Sequence, residues 1–310
     1  MKERLMTKPT FSRRAALGGI ATVLATPAFA QHADHGPMYE RLDKPGRVDA
    51  PELIREQHVT ASPAPAADNP GKWIARAPLP LPRSEMAWAT VHEGKMHLVG
   101  GYGEQRVDRP YHHVYDPAAD RWSDAPQLPR GANHVGVAVL DGKLYAIGGF
   151  VEQNRKPDNL CFVMEETAWR SIAPLPRPCG AIALVSHSGL LHAVGGAIGD
   201  TTETKKSVDW HLAYDPKADK WNERAPLPTG RDHTGTLALN GLIHVVGGRV
   251  DSFHTNSNLH HSYDPKEDRW RMRNPMPTAR SGHGAVLYRG ANILHGRRRH
   301  QSRLRTGRSL

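Results

Sequence analysis

Cysteine is scarce in this chain of 310 residues, which contains only Cys161 and Cys179. One potential pair cannot provide the disulfide framework on which small secreted domains depend. An oxidising compartment would permit a bridge between the two residues, although their spacing does not show that they meet. A chain of this length can instead bury one large core or two modest ones.

Net charge is missing from the central part of the chain, although the whole sequence carries a formal charge of +10. Residues 1–30 contribute +4 and residues 297–310 contribute +6, which leaves zero for residues 31–296. A neutral body has no excess of cations with which to displace the counterions of a nucleic acid. We therefore expect no nucleic-acid partner.

Long apolar segments are missing as well. The best candidate, residues 15–30, falls short of the roughly 20 residues that a membrane helix needs. It follows Arg13 and Arg14 and ends in Ala-Phe-Ala, which predicts an export signal over residues 1–30 that is cleaved after Ala30. The S-R-R-x-x-L pattern resembles the twin-arginine class and implies a periplasmic or secreted protein without a transmembrane span after cleavage.

The chain that follows changes character at residue 72. Residues 31–71 are rich in proline and alanine and show no apolar period, which predicts a linker or arm. Beyond them the sequence repeats every 47 to 52 residues, a period that indicates a propeller or a solenoid. The repeat is marked by double glycines and tryptophans, namely Gly100-Gly101, Gly148-Gly149, Gly195-Gly196 and Gly247-Gly248, and Trp122, Trp169, Trp221 and Trp270.

Each unit is predicted to form four short strands. In the second unit the segments GVAVL and KLYAIGG flank Asp141-Gly142, which is a strong signal for a two-residue hairpin turn. The double glycine ends the second strand, where close backbone approach excludes a Cβ. Tyr-Asp-Pro-x-x-Asp-x-Trp then supplies a third strand, a tight turn and the start of the fourth. Since one such sheet cannot bury both of its faces alone, we expect radial stacking as a β-propeller.

These motifs resemble the Kelch repeat, and four units over residues 84–270 carry them. The second unit departs from the pattern, because CFVMEETAW stands where Tyr-Asp-Pro is expected, so its turn must differ. The resemblance implies an all-β, Kelch-type β-propeller over residues 72–296. It would have four complete four-stranded blades, a partial fifth blade, and an N-terminal closing strand at residues 72–80.

The fifth unit stops inside a strand. Gly296 aligns with Gly247, but Arg297 stands where the second glycine belongs, and an acid-free basic tail occupies residues 297–310. This composition predicts out-of-frame or otherwise aberrant sequence from about Ala291, with a genuine basic arm as the alternative. An open propeller of this kind would leave strand edges unpaired and an apolar face uncovered, which predicts poor solubility or self-association.

In Kelch propellers, the loops between blades and the loops between second and third strands meet at the end that binds ligands. One arginine per unit lies in the first set of loops: Arg83, Arg130, Arg177, Arg231 and Arg280. A ring of guanidiniums would suit carboxylate or sugar-acid ligands. The alternative, which we favour, is that each arginine bonds the backbone of a neighbouring blade.

Other candidate ligand-binding residues lie in the loops between second and third strands and near the propeller axis. The acidic ones are Glu104, Glu152 and Asp251, each three residues after a second glycine position. His134 and His233 open the innermost strands near the axis. No H-x-H or HExxH spacing supports a metal site there, so neither a metal nor another cofactor is predicted.

Three functions remain open. The first is an exported binding module that presents these loops to a protein or glycan. The second is an enzyme resembling the sialic-acid mutarotases, which are also Kelch propellers, with Glu104, Glu152, Asp251, Arg231 and His233 available for acid–base steps. The third and least favoured is a copper-radical oxidase of the galactose oxidase type, which needs a cysteine crosslinked to a tyrosine. The fold cannot decide among them, so catalysis is left uncertain.

Overall fold

The computed structural model describes residues 74–103, 107–153, 156–200, 204–251, 255–288 and 291–296. Within these ranges the chain forms 22 strands and no helix, which confirms the predicted all-β class. The described residues contain no helix that is long and apolar enough to cross a membrane. The predicted export signal, the linker and the basic tail lie outside the described residues.

The first two blades are antiparallel sheets of four strands, with a short extra hairpin in the second. Their strand orders are β1-β2-β3-β4 and β5-β6-β9-β10. The strands are β1 (Thr90–His92), β2 (Lys95–Val99), β3 (His112–Asp116), β4 (Arg121–Asp124), β5 (Gly136–Leu140), β6 (Lys143–Ile147), β7 (Phe150–Val151), β8 (Lys156–Pro157), β9 (Cys161–Met164) and β10 (Trp169–Ile172).

The third and fourth blades repeat this arrangement, and a hairpin begins the fifth. The four-stranded orders are β11-β12-β15-β16 and β17-β18-β19-β20. The strands are β11 (Ala183–His187), β12 (Leu190–Val194), β13 (Ala197–Ile198), β14 (Lys206–Ser207), β15 (His211–Asp215), β16 (Lys220–Glu223), β17 (Gly235–Leu239), β18 (Leu242–Val246), β19 (His260–Asp264), β20 (Arg269–Arg273), β21 (His283–Tyr288) and β22 (Ala291–Gly296).

The blades stack radially. The first strands of successive blades, β1, β5, β11, β17 and β21, contact one another in chain order, which places them nearest the axis. The hydrophobic core lies between the sheets, because each apolar cluster draws side chains from two adjoining blades. Between the first and second blades, for example, Val99 packs in one cluster with Leu144 and Phe162.

In three blades, the Tyr-Asp-Pro-x-x-Asp-x-Trp motif binds the chain segment that precedes the blade. In the third blade Asp219 accepts hydrogen bonds from the Tyr214 hydroxyl at 2.7 Å and the Ala173 N–H at 2.8 Å. The Trp221 indole donates to the Ala173 carbonyl at 2.9 Å. The same bonds recur at Asp120 and Asp268. The motif therefore ties the outer strand to the backbone that leaves the previous blade.

The double glycines make a second connection between blades. The N–H of Gly196 donates to the Arg231 carbonyl of the next blade at 2.9 Å. Gly196 has a φ of +105°, and a Cβ added there would lie 2.6 Å from the sulfur of Cys179. Only glycine fits this backbone and this approach. The close approach predicted from the sequence is confirmed.

The ends of the repeat and its second unit show where the chain departs from the regular pattern. Residues 74–80 form no strand, because no partner strands adjoin them in the described residues. This corrects the closing-strand prediction, although Ala77 still bonds Trp122 and Asp120.

The second unit keeps its third strand, β9, and forms a different turn, as expected. The fifth unit pairs residues as far as Gly296 into a hairpin.

Candidate functional site

Each blade presents one residue at the propeller axis, just ahead of its innermost strand. These five residues share a left-handed backbone with φ between +52° and +59°. Backbone bonds join neighbours around the axis, since His134 N–H donates to the Glu85 carbonyl at 2.8 Å and Ala181 N–H donates to the His134 carbonyl at 2.9 Å. The five are Glu85, His134, Ala181, His233 and Gly282.

Three of these axial residues carry polar side chains that converge. The Nε2 atom of His134 lies 3.1 Å from Oε2 of Glu85, and Nε2 of His233 lies 3.9 Å from the same oxygen. The two imidazole rings meet edge to face at 4.8 Å between centroids. Both rings are nearly buried, at 7% and 11% side-chain exposure, whereas Glu85 is about half exposed. We call Glu85, His134 and His233 the axial cluster.

Each histidine is held from behind by the side chain that precedes it in sequence. His233 Nδ1 donates to the Asp232 carboxylate at 2.5 Å, and His134 Nδ1 donates to the side-chain oxygen of Asn133. Asn133 is oriented in turn by its amide, which donates to Asp108 at 2.6 Å. These bonds commit both Nδ1 atoms as donors, so both Nε2 atoms face the axis.

A guanidinium joins the network on the His233 side. Arg249 donates through Nε to Asp232 at 2.7 Å, and a second nitrogen lies 3.2 Å from His233 Nε2. The Ser207 hydroxyl donates to the other Asp232 oxygen at 2.6 Å. Asp232 is therefore fully engaged, and its carboxylate fixes the orientation of the His233 ring.

The three members of the axial cluster differ in the direction in which their surroundings shift their pKa values. Burial lowers the pKa of His134 to about 4, although Glu85 opposes the shift. Burial also disfavours the charged form of His233, but the hydrogen bond to Asp232 and the nearby Glu85 carboxylate outweigh it and raise the pKa of His233. The close contact with His134 and the nearby His233 ring hold the pKa of the Glu85 carboxyl well below its usual range. Glu85 is thus a carboxylate at neutral pH.

The axial cluster lies at one side of a pocket of about 340 Å³. Most of the remaining wall is apolar, and Trp88, Leu98, Val135 and Ile182 contribute to it. A concave apolar pocket with a few convergent polar groups is the usual form of a ligand site.

The predicted ring of guanidiniums does not form. Arg231 is completely buried and donates to the carbonyls of Gly247 at 2.7 Å and Leu259 at 2.9 Å. Arg83 and Arg130 likewise donate to carbonyls, those of Tyr111 and Gly148. These bonds stay within one blade, which corrects the expectation that the arginines would bond a neighbouring blade.

The other two predicted arginines also lie outside the axial cluster. Arg177 is exposed, pairs with Glu223 at 3.0 Å and lies over the Trp210 ring. Arg280 is half-buried at the start of the fifth unit. Neither lines the axial pocket.

The predicted acidic residues are not brought to the axis either. Glu152 is exposed and lies 3.9 Å from Lys156. Asp251 accepts a hydrogen bond from the Ser207 N–H at 2.9 Å and so links the loops of two blades. Glu104 lies outside the described residues. Cys161 and Cys179 are free, buried and not part of the pocket lining, so no cysteine stands at the axis as the copper-radical alternative would require.

Sequence reasoning identified His134 and His233 but missed Glu85, Asn133 and Asp232. One signal was available: Glu85 follows Arg83 by two positions, as His233 follows Arg231. The second unit hides the correspondence, because two additional residues separate its arginine from the axial histidine.

Comparisons with known proteins agree with this architecture. The Kelch motif is matched at residues 132–176 and 230–277. A solved structure titled "Structure of YjhT" superposes with a TM-score of 0.62 at 16% sequence identity, covering 74% of this chain and 81% of that one. At this identity, the match supports the fold alone.

Curated relatives share the repeat. The chain is 29% identical to Kelch-like protein 35 of Mus musculus over 54% of its own length and 27% of the relative's. It is 30% identical to Kelch-like protein 41a of Danio rerio over 64% of its length and 33% of the relative's, and 27% identical to alpha-scruin of Limulus polyphemus over 61% and 21%. The chain thus spans about a third or less of these relatives.

Proposed function

Since this chain belongs to the Kelch-repeat family, we propose that it is an exported binding module that takes a protein segment into its axial pocket. The observation that carries the proposal is the pocket itself, in which an apolar wall meets the axial cluster. Such a lining suits a peptide side chain with an apolar body and a polar end, because the two parts would meet matching surfaces.

The predicted loop residues support a scaffold instead of a contact surface. Arg83, Arg130 and Arg231 are engaged with the backbone, and Asp251 ties two loops together. Their bonds fix the loops around the pocket. Binding is therefore assigned to the pocket wall, where Trp88 is 40% exposed and offers the largest aromatic surface.

A matched pair of variants tests this proposal. Peptides are selected from a displayed library on the intact chain, and their affinities are compared for Trp88→Ala and Val91→Ala. Both residues are exposed and close in sequence, but only Trp88 lines the pocket. We expect Trp88→Ala to weaken binding by at least about tenfold, because truncating an aromatic anchor costs about 1–2 kcal/mol or more, and Val91→Ala to leave it unchanged. Peptides that bind both variants equally would contradict the pocket assignment.

A second candidate is an enzyme that acts on carbohydrates. The Asp232–His233 pair beside Glu85 favours it, because an oriented imidazole and a carboxylate in one pocket can exchange protons with a bound sugar. The intact chain can be tested with monosaccharides as well as with the peptide library. Saturable binding of an acidic monosaccharide, with no peptide selected, would favour this candidate over the module.

Export belongs to the first proposal and rests on the paired arginines and the Ala-Phe-Ala site. The intact mass of the exported protein tests it, and we expect a chain that begins at Gln31. A mass that includes residues 1–30 would remove export from the proposal.

A further inference from the structure

The axial cluster presents acceptor atoms to one another. Asp232 can only accept, so it requires a hydrogen on His233 Nδ1, and the Asn133 side-chain oxygen requires one on His134 Nδ1. A neutral imidazole then has a lone pair on Nε2. Two such lone pairs and the Glu85 carboxylate face the same point, with ligand atoms within 4.8 Å of one another.

Without a metal ion, a proton on Nε2 is needed to bridge either histidine to the Glu85 carboxylate, and a bound cation would take the place of that proton. Arg249 approaches from the His233 side, where its nitrogen is 3.2 Å from Nε2, and its nearer contact is with Asp232. On the other side of the axis, His134 Nε2 lies 3.1 Å from the Glu85 carboxylate, so the two atoms are close enough to share one ion. A cation at the axis would satisfy all three atoms together.

We propose that Glu85, His134 and His233 bind a divalent transition metal ion at the propeller axis. Two imidazole nitrogens and one carboxylate oxygen suit Zn²⁺, and related ions such as Ni²⁺ or Cu²⁺ accept the same donors. Three protein ligands leave at least one coordination position for an external ligand. That position faces the pocket, because the same three residues line it.

The surrounding side chains have the form that metal-binding histidines require. A ligating imidazole donates its other N–H to a carboxylate or carbonyl oxygen, which fixes the ring and increases its basicity. His233 has this bond to Asp232, and His134 has it to Asn133. The His134 ring also packs edge to face against Phe150 and is almost fully buried.

The distances require a modest adjustment. A four-coordinate ion with bonds of about 2.0–2.1 Å holds its ligand atoms roughly 3.3 Å apart. The Glu85–His134 pair is already near this separation, at 3.1 Å. His233 begins 3.9 Å from Glu85, so its ring would move inward on binding. Glu85 is half exposed and is the member with most freedom to follow.

Local charge favours a cation. Among the described residues, three carboxylates belong to the network around the axis, those of Glu85, Asp108 and Asp232. They outnumber the two cations of that network, Arg249, which pairs with Asp232, and Lys205, which interacts with it. The surplus of negative charge lowers the cost of bringing a divalent ion into the site.

The substitutions for the test are chosen from residues that other blades already have at the same position. Ala181 and Gly282 occupy the equivalent axial positions in the same backbone conformation, so His134→Ala and His233→Ala are compatible with the fold. Glu85→Gln removes the charge and keeps the size. His187→Ala, on β11 and outside the cluster, controls for histidine content. Zn²⁺ binding is measured on the metal-stripped full chain by calorimetry, and Co²⁺ provides visible absorption bands that report coordination.

We expect one Zn²⁺ per chain with a Kd of about 1 µM or tighter. Each of the three cluster variants should weaken binding by about 100-fold, while His187→Ala should not change it. Zn²⁺ should raise the melting temperature of the unmodified chain and not that of His134→Ala or His233→Ala. Absence of stoichiometric binding, or an affinity in all three cluster variants equal to that of the unmodified chain, would overturn the proposal.

This inference does not rest on the proposed function, although both sites use the axial pocket. Trp88→Ala should lose peptide binding and retain Zn²⁺, because Trp88 contributes no metal ligand. Loss of peptide binding in Trp88→Ala with an unchanged Zn²⁺ affinity would show that the two proposals can fail separately, whereas the cluster variants alter both the metal ligands and the polar wall of the pocket.

Discussion

At the scale of single residues, buried polar groups carry part of the stability of the propeller. The Arg231 guanidinium is fully buried, and burial lowers its pKa to about 9. It donates to two backbone carbonyls and contacts Nδ1 of His261 at 2.8 Å. The Leu259 carbonyl also accepts the Gly247 N–H at 2.8 Å, so the arginine matters most for the buried Gly247 carbonyl and the His261 ring.

Replacing Arg231 should therefore affect folding more than ligand binding. We expect Arg231→Met to lower the free energy of unfolding by about 2–4 kcal/mol, because the buried Gly247 carbonyl and the buried His261 ring lose the arginine as their partner. Arg177→Met removes an exposed ion pair with Glu223 and a contact with the Trp210 ring, and should cost less than about 1 kcal/mol. Urea unfolding at pH 8 measures both changes. Similar values for the two variants would contradict the scaffold role of Arg231.

At the scale of elements, three of the described blades contain a pair of histidines between their second and third strands. His192 Nδ1 lies 2.9 Å from His211 Nε2, and His211 Nδ1 lies 3.2 Å from the Ala225 carbonyl. The carbonyl requires a hydrogen on His211 Nδ1, so His192 is the donor within the pair. The same contact joins His97 to His112 and His244 to His260. The second blade has Tyr145 and Cys161 at these positions.

These pairs make stability depend on pH. Burial lowers the pKa of His112, His192 and His260 to about 4 in the folded state, whereas an unfolded histidine has a pKa of about 6.5. The unfolded state therefore binds more protons between about pH 6.5 and 4. The stabilisation is complete above about pH 6.5 and declines as the pH falls through this range, by about 2 kcal/mol for one such ring at pH 5.

The second blade supplies the test of this pH dependence. Combining His192→Tyr with His211→Cys gives the third blade the pair that the second blade already has. We expect the double variant to lose less stability than the unmodified chain between about pH 6.5 and 4.5, as measured by urea unfolding at several pH values. An unchanged pH profile would show that these rings do not titrate in this range.

At the scale of the whole molecule, the two strands that end the described series of blades expose apolar side chains. Val91 on β1 is 70% exposed, and Val286 and Leu287 on β21 are 56% and 46% exposed. The equivalent strands between them are covered on both sides by neighbouring blades. Exposed apolar faces of this kind favour association with another surface.

We therefore predict that this chain self-associates. Combining Val91→Lys with Val286→Lys should reduce the associated fraction in sedimentation velocity runs at increasing concentration, because lysine opposes burial of the face. Leu160→Lys is the control, since Leu160 is 43% exposed and lies ahead of β9, away from both strands. Equal association of the control and the double variant would locate the contact elsewhere.

The sequence by itself determined the repeat and most of the fold. Its signals are local: a double glycine that excludes a Cβ, an Asp-Gly hairpin turn, and a Tyr-Asp-Pro-x-x-Asp-x-Trp segment whose hydrogen bonds recur in three blades. Each signal acts within a few residues or between adjoining blades, so the spacing along the chain was enough to predict it. The closing strand was not predictable in this way, because a strand needs partners that the described chain does not provide.

Only the tertiary structure decided what the axis can bind. Reasoning from the spacing of short motifs fails here, because Glu85, His134 and His233 are 49 and 99 residues apart and skip the third blade. They meet because radial stacking brings equivalent positions to one axis, whatever residue each blade has there. Burial likewise decided that Arg231 supports a loop, since a side chain's direction depends on how the blades pack. Repetition therefore encodes the scaffold, and packing around the axis creates the site.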